Sequence, residues 1–297
     1  MLDALPDAPS VAAVVDESRA ICTDLALPPD IDSAEHLRDT VATQISLVIA
    51  GVATARALIT DEGLVPEFVA GHSVGAFSAA VVADVLTLRE ALDIVRMRGE
   101  SMRAACAGGD WGMAAITGLS PHAARQLAES VTSGRNPLWV ANVNSASQTV
   151  LGGTAVALSA AREAADAAGA TKFERLEVAV ASHGPIQHDT ARRLRAHLST
   201  LRLNTPTMRY MTNTGGRCVA TASAVVDDLA QSVSHPVQWF DGIQLIVELG
   251  VTCSIETGPG HTLTRLMAAT APRVAALAVF DDGLCGAAAR ARSHTSS

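Results

Sequence analysis

Apolar positions recur along most of the chain at the three-and-four spacing of a helix with one buried face, and short apolar runs stand between these stretches. A long helix is predicted from Ser33-Ala34-Glu35-His36 to about Ile59, with Asp32 or Ser33 available as its cap. Phe68-Val69-Ala70 follows as a short apolar strand, and Ala76 to Ala83 as an alanine-rich helix. Thr87-Leu88-Arg89-Glu90 has the spacing of a capping box and opens a helix that ends near Met102 to Ala105, before Gly108-Gly109.

From Gly112 to Val180 the rhythm changes. Strands are predicted over Gly112–Gly118, Leu138–Val143, Gln148–Gly152 and Lys172–Val180, and helices over Pro121–Val131 and Ala155–Ala168. That β-α-β-β-α-β order is the split arrangement of a ferredoxin-like domain. The fold expected is α/β: a hydrolase-like, parallel-sheet large domain (1–109 and 181–297) with an inserted ferredoxin-like small domain (110–180). In the second half of the large domain, Ile186–Leu201, Asp227–Val233 and Asp241–Leu249 read as helices. Cys253–Thr257 reads as a strand ending in the turn Gly258-Pro259-Gly260, and Ala291 to Ser297 as a frayed polar tail.

Composition narrows the function. Of the 297 residues 48% are hydrophobic and only 3% aromatic, which favours helices packed on a parallel sheet over an aromatic-rich all-β fold. A net charge of −8, with no basic stripe interleaved with aromatics, argues against nucleic-acid binding. Five scattered cysteines (Cys22, Cys106, Cys218, Cys253, Cys285) without a CxxC suggest reduced thiols in a cytosolic protein and imply no metal site. The acidic, proline-bearing start does not resemble a signal peptide, and the most apolar window, Ile45 to Ala53, is too short to span a membrane.

The sharpest chemical signal is Gly71-His72-Ser73-Val74-Gly75, a G-x-S-x-G pentapeptide between the strand Phe68–Ala70 and a helix. In that setting a serine sits on a tight strand-to-helix turn with its hydroxyl exposed, and the Val74 N–H faces the place where an oxyanion forms. Gly71 and Gly75 are expected to keep the turn uncrowded. Arg98 is the second signal. At 100° per residue it falls within the apolar arc of Leu88, Ala91, Leu92, Ile94, Val95 and Met102, whereas Arg96 faces the solvated side. A buried arginine needs an anion: either a core carboxylate or helix C-terminus, or the carboxylate of a substrate. His183 follows an apolar strand, Leu176–Ala181, in the loop Ser182-His183-Gly184-Pro185, a position suited to a general base. His72 adjoins Ser73 but should point away from it, shaping the pocket.

These motifs, Gly71-His72-Ser73-Val74-Gly75 and Arg96-Met97-Arg98-Gly99, resemble those of the malonyl-CoA:acyl-carrier-protein acyltransferase family. Ala141-Asn142-Val143-Asn144-Ser145 with Gln148, Ala181-Ser182-His183, His235-Pro236-Val237-Gln238-Trp239 and Gly258-Pro259-Gly260 continue the resemblance in order, over nearly the whole chain. The resemblance implies that Ser73 is acylated, His183 is its base, and Arg98 binds the malonyl carboxylate. It also implies that a backbone carbonyl around Gln238 orients the histidine. The implied substrate is malonyl-CoA, the acceptor is a phosphopantetheine-type thiol on an acyl carrier protein, and no bound cofactor or metal is required.

Leu2-Asp3-Ala4-Leu5-Pro6, Leu47 to Ala53 and Val74-Gly75-Ala76-Phe77 are similar to one branch, the epsilon subunit of malonate decarboxylase. Fatty-acid-synthesis members usually carry glutamate at the position of Ala76. This points to the decarboxylase's small carrier subunit as acceptor, with a transacylase of fatty-acid or polyketide synthesis as the alternative. A serine thioesterase or esterase, and an inactive carrier-docking subunit, are alternatives of another class. Family members also open with an apolar strand and an FPGQGSQ-type loop that supplies a second oxyanion donor. The sequence begins just beyond that point, and codons upstream of Met1 are expected to encode it.

Overall fold

The computed structural model describes residues 1–178 and 180–295. It opens with a helix not expected from the sequence, α1 (Pro9–Asp24), which starts on a proline in its first turn. Val11, Val14, Ser18, Ile21 and Cys22 recur along its buried side, and it packs against α2 (Thr40–Arg56). α2 begins later than Ser33. Asp39 accepts the N–H groups of Val41 and Ala42, whereas Asp32 is occupied by the Leu2 N–H (2.7 Å) and the terminal ammonium. The helix continues through a π turn, Ala57–Asp61, so Thr40–Asp61 is long and apolar enough to cross a membrane, unlike the shorter window expected. Here it is the central core helix, with Ile45, Val48, Ile49, Val52 and Ala53 fully enclosed.

Strand β1 (Phe68–Ala70) leads through the Ser73 turn into α3 (Gly75–Val82), and Thr87 with Glu90 forms both bonds of the capping box that opens α4 (Leu88–Cys106). α2 packs on both α3 and α4. The small domain follows: β2 (Trp111–Thr117), α5 (Pro121–Val131), β3 (Leu138–Val143), β4 (Gln148–Thr154), α6 (Ala155–Ala167) and β5 (Lys172–Arg175). The expected strand to Val180 stops at Arg175, and Ala179, within the expected run Leu176–Ala181, lies outside the described residues.

The chain then forms α7 (His188–Leu198), β6 (Arg209–Met211), β7 (Cys218–Val219), α8 (Ala222–Gln231), β8 (Val237–Gln238) and α9 (Trp239–Glu248). It closes with β9 (Cys253–Glu256), α10 (Thr262–Thr270), β10 (Ala275–Ala278), α11 (Val279–Asp282) and α12 (Leu284–Thr295). Helix α8 starts earlier than the expected Asp227 because Thr221 caps it through the Ala224 N–H. The tail is helical to Thr295, held by buried Ala287, Ala288 and Ala291, and Ser296 and Ser297 lie outside the described residues.

The fold is α/β, with a ferredoxin-like small domain inserted in the larger one. The small sheet has the order β5-β2-β4-β3-β8 and is antiparallel except for its last pair, where β8 joins β3 in parallel. α5 and α6 cover it around Ile116, Leu151 and Leu158. In the large domain β1 pairs in parallel with β6, so Ala70 stands opposite Met211, and β9 and β10 form a separate parallel pair. The elbow after β1 and the segment after β6 therefore emerge side by side.

Candidate active site

Ser73 has φ +53, the left-handed conformation of a sharp turn. A Cβ on Gly71 would lie 2.0 Å from the Gly75 backbone, so that position admits only glycine. Gly75, expected to share this duty, faces open space. The turn is tied down by an amide: the Ser73 N–H donates to Asn213 Oδ1 (2.8 Å), and Asn213 Nδ2 donates to the Gly71 carbonyl (2.8 Å). Val74 caps α3, and among the described residues its N–H has no hydrogen-bond acceptor, which leaves it free for an incoming oxyanion.

His183 lies 110 residues further along the chain and faces the same hydroxyl, with Nε2 2.8 Å from Ser73 Oγ. Its Nδ1 stands 2.5 Å from the Ser232 carbonyl, and its backbone N–H donates to the Val233 carbonyl. A carbonyl can only accept, so Nδ1 carries the hydrogen and the lone pair of Nε2 points at Ser73. This corrects the expectation for Gln238. That residue belongs to β8, its N–H donates to the Asn213 carbonyl, and the carbonyl on the histidine is that of Ser232. Burial, and then the charge of Arg98, pull the His183 pKa down to about 3 against the upward pull of the Ser232 carbonyl.

Arg98 is 1% exposed. Its Nη2 donates to Ser73 Oγ (3.2 Å), its Nη1 donates to Gln44 Oε1, and its Nε has no partner. Among the described residues no carboxylate pairs with it, so of the two readings open for a buried arginine the core ion pair is absent. Its charge is met by two neutral acceptors, the Gln44 amide oxygen and Ser73 Oγ, and not by an anion. Burial lowers its pKa to about 10, so it remains a cation at neutral pH. The neighbouring residue makes this contact available. A Cβ on Gly99 would come within 3.0 Å of Val41 Cα, and that close approach of α4 to α2 brings Gln44, one turn past Val41, onto Arg98.

His72 turns away from Ser73 toward the small domain. Its Nε2 lies 3.1 Å from Asn144 Oδ1 and 3.3 Å from Asn142 Nδ2, and its ring meets the edge of Trp239. Burial lowers its pKa, opposed by the Asn144 hydrogen bond. Asn144 Nδ2 donates in turn to Gln148 Oε1.

Three participants were not found by sequence reasoning. Gln44 carried a usable signal, a polar residue on the most apolar helix. Asn213 stands in a polar loop that resembles many others. Ser232 acts through a backbone atom, which has no residue signature. The assembled geometry provides a hydroxyl shared by a neutral imidazole and a cation, a free N–H at a helix start, and a cationic wall for an anionic acyl group. Such a constellation suits acyl transfer through serine.

Residues 4–281 match the acyl transferase domain family. A malonyl CoA-acyl carrier protein transacylase of Salmonella typhimurium is 36% identical over 233 residues, 78% of this chain and 75% of the relative. A malonyl CoA-acyl carrier protein transacylase of Coxiella burnetii superposes with a TM-score of 0.88 at 28% identity, over 95% of this chain and 90% of the other. A malonyl-transacylase solved in complex with its type II polyketide acyl-carrier protein superposes at 0.87 and 30% identity, covering 94% and 92%.

Proposed function

This chain belongs to the acyl transferase domain family, and from that premise we propose that it transfers malonyl from malonyl-CoA to the phosphopantetheine thiol of an acyl carrier protein through a malonyl-Ser73 ester. His183 Nε2 takes the Ser73 proton as Oγ attacks the thioester carbonyl. The oxyanion gathers at the Val74 N–H and the start of α3. Collapse breaks the C–S bond, and the CoA thiolate leaves with the proton returned by His183. The carrier thiol then gives its proton to His183 and attacks the seryl ester, and Ser73 Oγ leaves with that proton. The Ser232 carbonyl holds the Nδ1–H through both halves of the cycle, in the place a carboxylate fills in a Ser-His-Asp triad.

The observation that carries this reading is the contact with Ser73 Oγ of Arg98, which is buried and, among the described residues, has no carboxylate partner. A malonyl group esterified there would set its free carboxylate against the guanidinium, whereas a neutral acyl group would leave the charge unanswered. The same contact speaks against a general thioesterase or esterase. Arg98→Ala is expected to slow malonyl transfer about ten- to a hundredfold, corresponding to about 1.5–3 kcal/mol, with a much smaller effect on acetyl transfer. Steady-state rates with the two acyl-CoA substrates test this, and equal losses would make Arg98 structural.

The acceptor is better supported as a carrier of fatty-acid or polyketide synthesis than as the decarboxylase carrier subunit, since the relatives just described are transacylases of that kind. The decarboxylase reading rests on the opening Leu2–Pro6, the run Leu47–Ala53 and Ala76. Transfer rates to the two carriers, measured side by side, separate the readings.

A further inference from the structure

Asp228 is a carboxylate buried to 2% exposure, and among the described residues it has no cation within ion-pair distance. Four donors surround it instead. Oδ2 accepts the Asn213 N–H (2.9 Å) and the Tyr210 hydroxyl (3.1 Å), and Oδ1 accepts the Thr214 N–H (2.8 Å) and the Thr214 hydroxyl (2.9 Å). A buried charge persists only when donors replace its water, so this cluster is costly to build without a purpose. Burial and the adjacent carboxylate raise the Tyr210 pKa well above its ordinary value, so its hydroxyl stays a donor.

Every polar group of Asn213 is engaged. Its N–H goes to Asp228, its carbonyl accepts from Gln238, and its side-chain amide spans the elbow from the Gly71 carbonyl to the Ser73 N–H. The register of β1 on β6 puts Met211 opposite Ala70, so Asn213 lies beside the turn and needs only to be fixed in angle. Asp228 supplies that fixation. It stands on α8, and Ser232, whose carbonyl holds His183, follows one helical turn later.

We propose that Asp228 is a positioning residue: through Asn213 it holds the Ser73 elbow in its left-handed turn, and the turn of helix it shares with Ser232 keeps nucleophile and base in common register. The inference rests on the reading of Ser73 as nucleophile and goes beyond it, because Asp228 touches no reacting atom. A displacement of about 1 Å at a reacting centre can cost on the order of a hundredfold in rate.

The test is the rate at which a fluorophosphonate labels Ser73, which reads the nucleophile without malonyl-CoA or carrier, alongside kcat and KM for malonyl-CoA. Asp228→Asn turns an amide donor on the donors it now accepts from. It is expected to slow labelling and kcat roughly ten- to a hundredfold while KM stays within about threefold. Leu158→Ala, a core truncation in the small domain, should destabilise the protein yet label at the unaltered rate. Asn213→Ala should be at least as slow, and the double variant no slower than Asn213→Ala alone, since Asp228 acts through Asn213. Unslowed labelling of folded Asp228→Asn, or additive losses in the double variant, would overturn the proposal. Should Asp228→Asn fail to fold, Thr214→Val removes one of the four donors and decides the matter: labelling slowed at unchanged KM supports it, and unslowed labelling overturns it. Failure of the unaltered chain to label at Ser73 would instead overturn the nucleophile reading, and this inference with it.

Discussion

His183 is held where protonation is disfavoured twice, by burial and by the Arg98 charge close by. With its pKa pulled from 6.5 to about 3, the imidazole of the free protein is neutral throughout the physiological range, so as the proposed base it needs no prior deprotonation. Because kcat/KM reports the free enzyme, its pH profile for malonyl-CoA should show no acid limb near pH 6.5, and a limb centred there would contradict the assignment. The unfolded chain binds a proton on this residue below about 6.5 that the native state refuses. Its contribution to stability therefore falls as pH drops from 6.5 toward 3. Gln44 bears on the same charge. Gln44→Glu would place a carboxylate on Arg98 and answer its charge internally, so malonyl transfer should fall at least about tenfold while acetyl transfer changes less. Comparable losses for both would show that Gln44 serves packing only. Ser73 and Arg98 were legible in the sequence because each breaks a local pattern, one on a glycine-flanked turn and the other on an apolar stripe. The Ser232 carbonyl was not, since any residue type could supply it.

The elements were legible where local chemistry decides them. Thr87 and Glu90 set the start of α4, and the turns of the small domain set its first three strands close to their observed limits, whereas β5 ends at Arg175, short of the expected Val180. Legibility failed where several caps competed. Asp32, Ser33 and Asp39 are all competent to start α2, and only the folded chain shows that the N-terminus occupies Asp32. The elbow is the element on which the proposed chemistry depends, and its two glycines are not equivalent. Gly71→Ala must displace the Gly75 and Ala76 backbone, which lie 2.0 and 2.4 Å from the new carbon, and so open the turn that aims Ser73. Gly75→Ala meets nothing within 4 Å. Fluorophosphonate labelling should drop by more than about tenfold in the first variant and stay near the unaltered rate in the second. The reverse order would mean that the turn is not held as described.

Across the molecule, the site is assembled from segments far apart in the chain. Ser73 comes from the elbow after β1, Arg98 from α4, His183 from the return out of the small domain, Asn213 from the segment after β6, and Ser232 from the end of α8. The small domain is tied to that return by the Trp139 indole, which donates to the Ser182 carbonyl at 3.0 Å, and to the later part of the large domain by β8, which pairs with β3. Such long-range placements follow from topology and register, and no window of sequence contains them. They converge on one hydroxyl, and the most direct measurement is of that atom. Intact-protein and peptide mass spectrometry after incubation with malonyl-CoA should find one malonyl group on the peptide that contains Ser73, released on addition of a phosphopantetheine thiol. Ser73→Ala should carry none. An absent adduct, or the same adduct on Ser73→Ala, would contradict acyl transfer through Ser73.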